Sequence, residues 1–261
     1  MTLTRLSPAA INRYRTCPRS FLLTDIQRRT RTEASSPILA QGNAIHHALE
    51  RFFGLPVEHR NAETIELALR SVWPEHRRRA GFVSPSEEAA HGLAAIAMLR
   101  SFTESFDISC VPVAREQWVQ ARLPTGVEIF GKVDRIDRLP SGRLDVIDYK
   151  TGRHQLDADD LRQEPAVHVY VVATEATYSL EVERVRFVYL ASATEVSWSP
   201  EREDIQAIKR RLLQLTENLA AESKWEARPA PHLCRTCPAA LHCDERGRVT
   251  LDELVAGKLV F

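Results

Sequence analysis

The sequence lacks any run of about 20 apolar residues, the length that a membrane-spanning helix needs. Its first residues also lack the apolar core of a secretory signal peptide. We therefore expect a cytoplasmic protein with no membrane partner. The motif G-x-x-x-x-G-K-[ST] of nucleotide-driven motors does not occur either. Any helicase or other motor would have to be a partner protein, such as another repair protein.

Net charge is absent as well, because 35 basic residues balance 35 acidic ones. The overall balance therefore argues neither for nor against nucleic-acid binding. The distribution is more informative, since residues 1–31 hold seven arginines and one acidic residue, Asp25. Such an excess attracts a phosphate backbone when it lies on one face. A solvated helix face in an arginine-rich chain is the alternative. Arg13 and Arg15 are the candidates for DNA contact.

The chain of 261 residues is long for one domain and short for two, and we expect a single domain over 1–261. Periodicity predicts an opening helix in TLTRLSPAAINRYRTCPRSFLLTDI, residues 2–26, that Ser7 caps, with Pro8 at its first position. Residues 29–37 are expected to be a polar linker. Further helices are predicted near 40–53, 61–80, 86–106, 157–175 and 200–222, and strands near 112–121, 127–138, 143–150, 183–191 and 194–198. This order predicts an α/β domain with a mixed sheet flanked by helices, into which 55–107 is a helical insertion.

The strongest chemical signal is the segment GKVDRIDRLPSGRLDVIDYKTG over residues 131–152. Alternate residues of a strand share a face, so Asp148 and Lys150 point the same way at a strand end. Asp134 lies on the preceding strand, across a hairpin, where it can approach Asp148. Two adjacent carboxylates repel unless a cation joins them, and such ligands suit Mg²⁺ or Mn²⁺. A nearby lysine can orient the water that attacks a phosphodiester. A charged strand end that is merely solvated is the alternative.

One of two adjacent histidines in GNAIHHALERFF fits this site. The apolar face of the helix runs through Ile45 and Leu49, and helical phase places His46 on its flank. His47 points almost the opposite way, toward solvent. A half-buried histidine is commonly a hydrogen-bonded core residue. As a ligand, His46 would add a nitrogen to the two carboxylates and favour Mn²⁺ over Mg²⁺.

Cysteines are sparse but clustered. Three of them form C-x₂-C-x₅-C near one end of the chain, a fourth lies in RTCPRSF near the other, and we expect them to hold a metal group. They are Cys17, Cys234, Cys237 and Cys243. Four thiolates satisfy either a tetrahedral zinc ion or an iron–sulfur cluster, and the spacing does not choose between them. The group would join the two ends of the chain. Cys110 has no cysteine neighbour and is expected to be a small buried residue.

These pieces together resemble the RecB-like branch of the PD-(D/E)xK nucleases, including its iron–sulfur members, the CRISPR-associated RecB-like exonucleases and the AddB-type nuclease domains. QGNAIHHALERF is similar to the histidine motif of the family, GKVDRID to its first acidic motif and VIDYKTG to its second. LSPAAINRYRTCPRSFLL and CRTCPAALHC are similar to the segments that carry its four cluster cysteines. The resemblance covers nearly the whole chain, with five motifs in the family's order.

The resemblance implies a restriction-endonuclease-like core whose termini are joined by a cysteine cluster, with 226–261 as the cysteine segment. It implies metal ligation by His46, Asp134 and Asp148, catalysis with Lys150, a [4Fe–4S] cluster rather than zinc, and DNA as the substrate. One motif departs from the family. Where the family has Q-x-x-x-Y on the helix after the lysine strand, Tyr170 fits the tyrosine but Ala166 replaces the glutamine. Gln163 or His168 is a possible substitute.

Two functions follow from these motifs. The first is a metal-dependent DNA nuclease, an exonuclease on single-stranded ends in repair, recombination or CRISPR-type DNA processing. The second is a non-catalytic DNA-binding accessory subunit that retains the nuclease scaffold and the cysteine cluster, which the missing glutamine favours. A zinc site in a chain without a nuclease role is a third, weaker interpretation.

Overall fold

A computed structural model describes residues 3–29, 36–78 and 80–245. The helices are α1 Pro8–Thr16, α2 Pro18–Phe21, α3 Pro37–Phe52, α4 Ala62–Arg77, α5 Pro85–Ser105, α6 Ala158–Gln163, α7 Pro165–Tyr178, α8 Arg202–Ala221 and α9 Pro231–Thr236. The strands are β1 Arg5–Leu6, β2 Ala114–Arg122, β3 Glu128–Arg138, β4 Leu144–Lys150, β5 Val182–Tyr189 and β6 Thr194–Trp198. The linker predicted from residue 29 to 37 lies mostly outside the described residues, as does the end of the cysteine segment.

Six strands of the described part of the chain form one mixed sheet in the order β1-β3-β4-β5-β6, and β2 pairs with β3. The β2–β3, β3–β4 and β5–β6 pairs are antiparallel, whereas the β1–β3 and β4–β5 pairs are parallel. The expected α/β architecture, a mixed sheet flanked by helices, is confirmed. That 55–107 is an insertion into a single domain stays a prediction.

Each face of the sheet has its own core. On one face, α1, α7 and α8 pack against apolar side chains of β2–β5 such as Val133, Val146 and Phe187. On the other face, α3, α4 and α5 cover Ile147 and Tyr149 of β4 and the end of β5. β4 is buried on both faces because both helical layers pack on it, and only its last residue is partly exposed.

Two predicted helices are interrupted, and a proline causes each break. The opening helix ends at Thr16, Cys17 is extended (φ −154°), and Pro18 begins α2. The helix predicted over 157–175 is divided at Glu164 (ψ 124°) by Pro165. Proline disfavours the helical conformation of the residue before it, while it suits the first turn of a new helix. A single continuous helix was therefore wrong at both places.

Candidate active site

The two acidic motifs meet where β3 and β4 pair. Arg135 of β3 lies opposite Ile147 of β4, so the next pair along the strands brings Asp134 to Asp148. Asp134 Oδ2 accepts a hydrogen bond from the backbone amide of Tyr149 at 2.6 Å, which fixes its side chain across the strand pair. Lys150 Nζ lies 2.5 Å from Asp148 Oδ2. The structure therefore brings together the three β-strand residues predicted for the site.

Helix α3 delivers His46 to the same place. Ser36 caps the helix, and Ala44, Ile45 and Ala48 of its inner face are fully buried. The small residue Gly42 permits the close approach, since a Cβ there would lie 3.2 Å from Thr151 Oγ1, just beyond β4. His46 Nδ1 ends 3.1 Å from Asp134 Oδ1.

The adjacent His47 was expected to point into solvent, but it does not. It is half-buried, and its Nδ1 lies 3.3 Å from Nε2 of His76 on α4. Helical phase places the two histidines on different sides of α3, as predicted, but α4 covers the side that a lone helix would leave open. His47 therefore faces away from the carboxylates.

Glu116 is a site residue that the sequence analysis missed. In the β2–β3 register, Arg115 pairs with Arg135 and Gln117 with Val133, so Glu116 lies across from Asp134. Its backbone has a positive φ of 47°, an uncommon conformation for a residue other than glycine. Its carboxylate lies 3.7 Å from His46 Nδ1 and 2.5 Å from Lys132 Nζ. The signal was available, because a hairpin turn over 123–127 sets the same register.

Burial, neighbouring charges and hydrogen bonds together set the pKa values of these groups. Burial lowers the pKa of His46, but the charge of Asp134 and the hydrogen bonds to Asp134 and Glu116 outweigh it and raise the pKa to about 10. Burial raises the pKa of Asp134, and the charge of Asp148 adds to that effect. Burial also lowers the pKa of Lys150, yet nearby Asp148 produces a net rise. Lys150 is therefore a cation at neutral pH.

The donor set fits a divalent cation. One ligand atom each from His46, Glu116 and Asp134 lies within 4.8 Å of the others. Asp148 Oδ2 is buried and receives no hydrogen bond of normal geometry from the described residues, although Lys150 is close. Nearly buried carboxylates that repel one another are stabilised by a cation between them. We refer to His46, Glu116, Asp134, Asp148 and Lys150 as the carboxylate centre.

Of the four residues predicted to contact DNA, the structure places Tyr170 at the carboxylate centre, where its hydroxyl donates to Asp148 Oδ1 at 3.2 Å. Gln163 lies on α6, before the break, and its side-chain oxygen accepts from Arg211. Arg13 forms an ion pair with Asp25 at 2.7 Å, whereas Arg15 is exposed and reaches only the carbonyl of Gln163.

Neither Gln163 nor His168 hydrogen-bonds with Tyr170 in the described structure, and their role as substitutes for the family's glutamine stays a prediction. Ala166 is buried on α7 and leaves no polar group at that position. His168 is buried, and its Nε2 lies 2.7 Å from the carbonyl oxygen of Arg162, to which it donates. Gln163 belongs to a different helix from Tyr170. In the described structure, the tyrosine of the pair reaches the carboxylate centre without a glutamine partner.

The clustered cysteines also come together. Four of the five thiols line one small cavity of about 30 Å³, and we call this group, Cys17, Cys234, Cys237 and Cys243, the cysteine centre. The backbone amide of Arg228 points at Cys17 Sγ (3.4 Å), and Ser20 Oγ lies 3.2 Å from Cys237 Sγ. All four are free thiols, so the donor set is that of a four-sulfur metal group.

Aromatic packing holds the chain ends together beside the cysteine centre. Trp225, after α8, stacks on Phe21 at a centroid distance of 5.9 Å, and Tyr14 packs edge-on against Phe21. The amide of Arg19 donates to the carbonyl of Glu226. Cys110 is partly buried and stands apart from this group.

Over residues 5–244 the chain matches the family model described as "PD-(D/E)XK nuclease superfamily". The chain belongs to this superfamily. Nucleases of this superfamily use divalent metal ions and bind DNA, so the match implies a metal-dependent nuclease. The sheet described above is the restriction-endonuclease-like fold of the superfamily. No helix of the described residues is long and apolar enough to cross a bilayer.

A solved structure described as "Crystal structure of SSO0001" is similar to this nuclease-superfamily chain, with a TM-score of 0.43 and 15% sequence identity. The similarity covers 93% of this chain and 87% of that one. No curated protein matches the chain.

Proposed function

We propose that this chain is a RecB-like nuclease of the iron–sulfur branch, an exonuclease that hydrolyses single-stranded DNA with Mg²⁺ or Mn²⁺. The observation that carries the proposal is the convergence of one helix and two strands. His46 on α3 lies 3.1 Å from Asp134 on β3, which accepts from the amide of Tyr149 on β4. On β4 itself, Lys150 lies 2.5 Å from Asp148. Chance placement of charged strand ends would not bring a histidine from a helix onto the same carboxylate.

In this proposal His46, Asp134 and Asp148 hold the metal ion, and Glu116 joins them. Once bound, the ion would stabilise negative charge on the phosphate and lower the pKa of an attacking water. The imidazole nitrogen favours Mn²⁺ more than an all-oxygen site would. Asp134 is held in place by the amide of Tyr149, so the site is ordered before a ligand arrives.

Lys150 is the cation that positions the reacting groups. Its ammonium group, protonated at neutral pH, lies beside Asp148 and carries three donors. It can donate to the attacking water and stabilise the charge that develops on a phosphate oxygen. Tyr170 keeps its proton because burial raises the pKa of the hydroxyl. Its hydrogen bond to Asp148 orients that carboxylate, and the ring is our candidate for contact with DNA.

We propose a [4Fe–4S] cluster at the cysteine centre, with zinc as the alternative. The cluster would join α1–α2 to the C-terminal cysteine segment. Brown colour and broad visible absorption after anaerobic purification are expected. Colourless protein that contains one equivalent of zinc would show that the cysteine centre binds zinc and not a [4Fe–4S] cluster. We place the protein in the cytoplasm as a single domain over 1–261, with a helicase or another repair protein as partner.

Digestion of 5′- and 3′-end-labelled single-stranded DNA tests the function, the metal and the polarity together. We expect cleavage with Mn²⁺ or Mg²⁺ that a chelator stops, and a product ladder that starts from one end. Duplex DNA of the same sequence is the matched control for strand preference. Cleavage of a circular single strand, which has no ends, would show that the protein is an endonuclease and not an exonuclease.

The second candidate is a non-catalytic DNA-binding accessory subunit. Ala166, where the family has a glutamine, is the observation that favours it. Tight DNA binding without cleavage, across Mg²⁺, Mn²⁺ and every type of end, would establish this function in place of the first.

A further inference from the structure

Two aromatic rings form an unusual surface on the β2–β3 hairpin. The side chain of Trp118 on β2 is 59% exposed. It packs against Phe130 on β3 at a centroid distance of 5.9 Å, with the ring planes tilted by 33°. The guanidinium group of Arg5 lies 4.1 Å from the centre of the Phe130 ring. A large exposed apolar side chain beside a second ring and a cation is typical of a binding surface rather than of a core.

This surface is continuous with the carboxylate centre. Trp118 pairs with Lys132 in the strand register, and Lys132 forms an ion pair with Glu116 at 2.5 Å. Glu116 is two residues before Trp118 on β2, and its carboxylate reaches Lys132, the register partner of Trp118. Lys132 therefore links the aromatic pair to the carboxylate centre.

The other face of this hairpin is already used. Val119 of β2 and Val133 of β3 are fully buried in the core that α7 covers. A Cβ on Gly131 would lie 2.8 Å from the Tyr170 ring, so α7 packs directly on that face. On the side of α3, in contrast, Trp118, Gln120 and Lys132 are exposed. The aromatic pair therefore projects where a ligand of the carboxylate centre can reach it.

We propose that Trp118 and Phe130 form a stacking platform for the bases of single-stranded DNA, adjacent to the carboxylate centre. The inference rests on the proposed nuclease function and names the form of its substrate. Unpaired bases expose their π-faces, whereas a duplex hides them, so a flat aromatic platform selects single strands without reading sequence. Arg5, which pairs with Glu128 at 2.7 Å, and Lys132, which pairs with Glu116, lie beside the rings and would face the phosphate backbone.

Binding without cleavage tests the platform directly. Fluorescence anisotropy of a labelled oligothymidylate would be measured in Ca²⁺, alongside an oligonucleotide of equal length made of abasic sites. We expect Trp118→Ala to weaken binding of the oligothymidylate about tenfold, and Trp118→Tyr to restore most of it. Binding of the abasic strand should change less than twofold. Leu93→Ala, at a 67% exposed apolar residue on α5, is the matched control.

An unchanged affinity of Trp118→Ala for oligothymidylate would overturn the platform, as would an equal loss on the abasic strand. Dissociation of a dimer by Trp118→Ala, without an effect on DNA affinity, would assign the surface to a second copy of the chain and likewise overturn it. Cleavage of DNA by the unmodified protein is scored separately. A protein that cuts while Trp118→Ala binds normally refutes the platform alone, whereas a protein that never cuts refutes the proposed nuclease.

Discussion

The carboxylate centre and the cysteine centre are built in opposite ways. The first lies in the middle of the sheet, where strand register and buried helices fix each side chain, and Asp148 is only 5% exposed. The second lies between short elements, an extended residue between α1 and α2 and the six-residue α9. Its thiols line one small cavity.

The difference distinguishes a site that the folded sheet orders from a site that a bound group would order. Backbone pairing of β2, β3 and β4 brings the carboxylates together before any metal binds, so the carboxylate centre is ordered by the sheet. The cysteine centre lies between short elements beside the packing of Trp225 on Phe21, and we expect the group that its thiols bind to stabilise this junction. Loss of each metal should therefore have different consequences: lost catalysis at the first centre and lost stability at the second.

The largest expected effect on stability comes from Cys17→Ala. Closing a loop of more than two hundred residues restricts the unfolded chain by roughly 5 kcal/mol in the chain-entropy model, which is an upper guide. We expect a large drop in the thermal midpoint and loss of the bound metal. Anaerobic thermal unfolding, with metal analysis, measures both. Cys110→Ala is the control, and an equal drop for both variants would show that the cysteine centre does not join the ends.

The sheet beneath the carboxylate centre is tested by Asp137→Ala. Asp137 is buried and forms an ion pair at 2.7 Å with the nearly buried Arg135, whose guanidinium also donates to the Tyr149 hydroxyl. Removing one member of a buried pair leaves an uncompensated charge, which costs about 3–5 kcal/mol. Denaturant unfolding measures the loss. The exposed Glu181→Ala should lose less than about 1 kcal/mol. Similar losses for both would contradict the buried network.

Glu116→Gln tests whether Glu116 belongs to the carboxylate centre. Hydrogen bonds to His46 and Lys132 outweigh burial and lower the pKa of Glu116, so the residue is an anion at neutral pH. Removing the charge should raise the metal concentration for half-maximal cleavage about tenfold. A metal titration of the cleavage rate measures this. Glu175→Gln, which neutralises a partly buried glutamate on α7, should leave the titration unchanged. Identical curves for Glu116→Gln and the unmodified protein would remove Glu116 from the site.

The smallest expected effect is the pH dependence that His168 adds to stability. Burial lowers the pKa of His168, and Arg211 and Arg15 act in the same direction, against the Arg162 carbonyl and Glu164. Since the unfolded chain then binds the proton more tightly, stability is full above about pH 6.5 and is lost as pH falls below it. His168→Gln, which retains a donor, should flatten this decline. Denaturant midpoints between about pH 7 and pH 5 give the comparison, and parallel curves would contradict it.

Sequence patterns predicted the sheet well because burial imposes simple periods on it. The segments LDVIDYK and GKVDRID predicted both the two strands and the acidic residues of the site. Helical phase separated His46 from His47. Ala44 and Ala48 also fit the close packing of α3. These residues obey local rules that the sequence displays directly.

The predictions failed where contacts between distant segments determine the structure. Glu116 is one acid among many until the hairpin turn over 123–127 is used to align β2 with β3. The breaks at Pro18 and Pro165 overrode apolar patterns that continue through them. Gln163 lies on α6 and not on the helix of Tyr170, because the predicted single helix is two helices. The exposure of Trp118 has no sequence signal, since alternation along β2 does not tell which face the helices leave open.

The central claim is that the carboxylate centre cuts DNA, and the cleavage rate of Lys150→Ala against the unmodified protein tests it most directly. Both would be assayed on labelled single-stranded DNA with Mn²⁺, after matching their thermal midpoints and metal content at the cysteine centre. We predict a loss of cleavage of at least about a hundredfold, with Asp148→Ala equally inactive and Lys209→Ala unaffected. Undiminished cutting by both Lys150→Ala and Asp148→Ala would contradict the account.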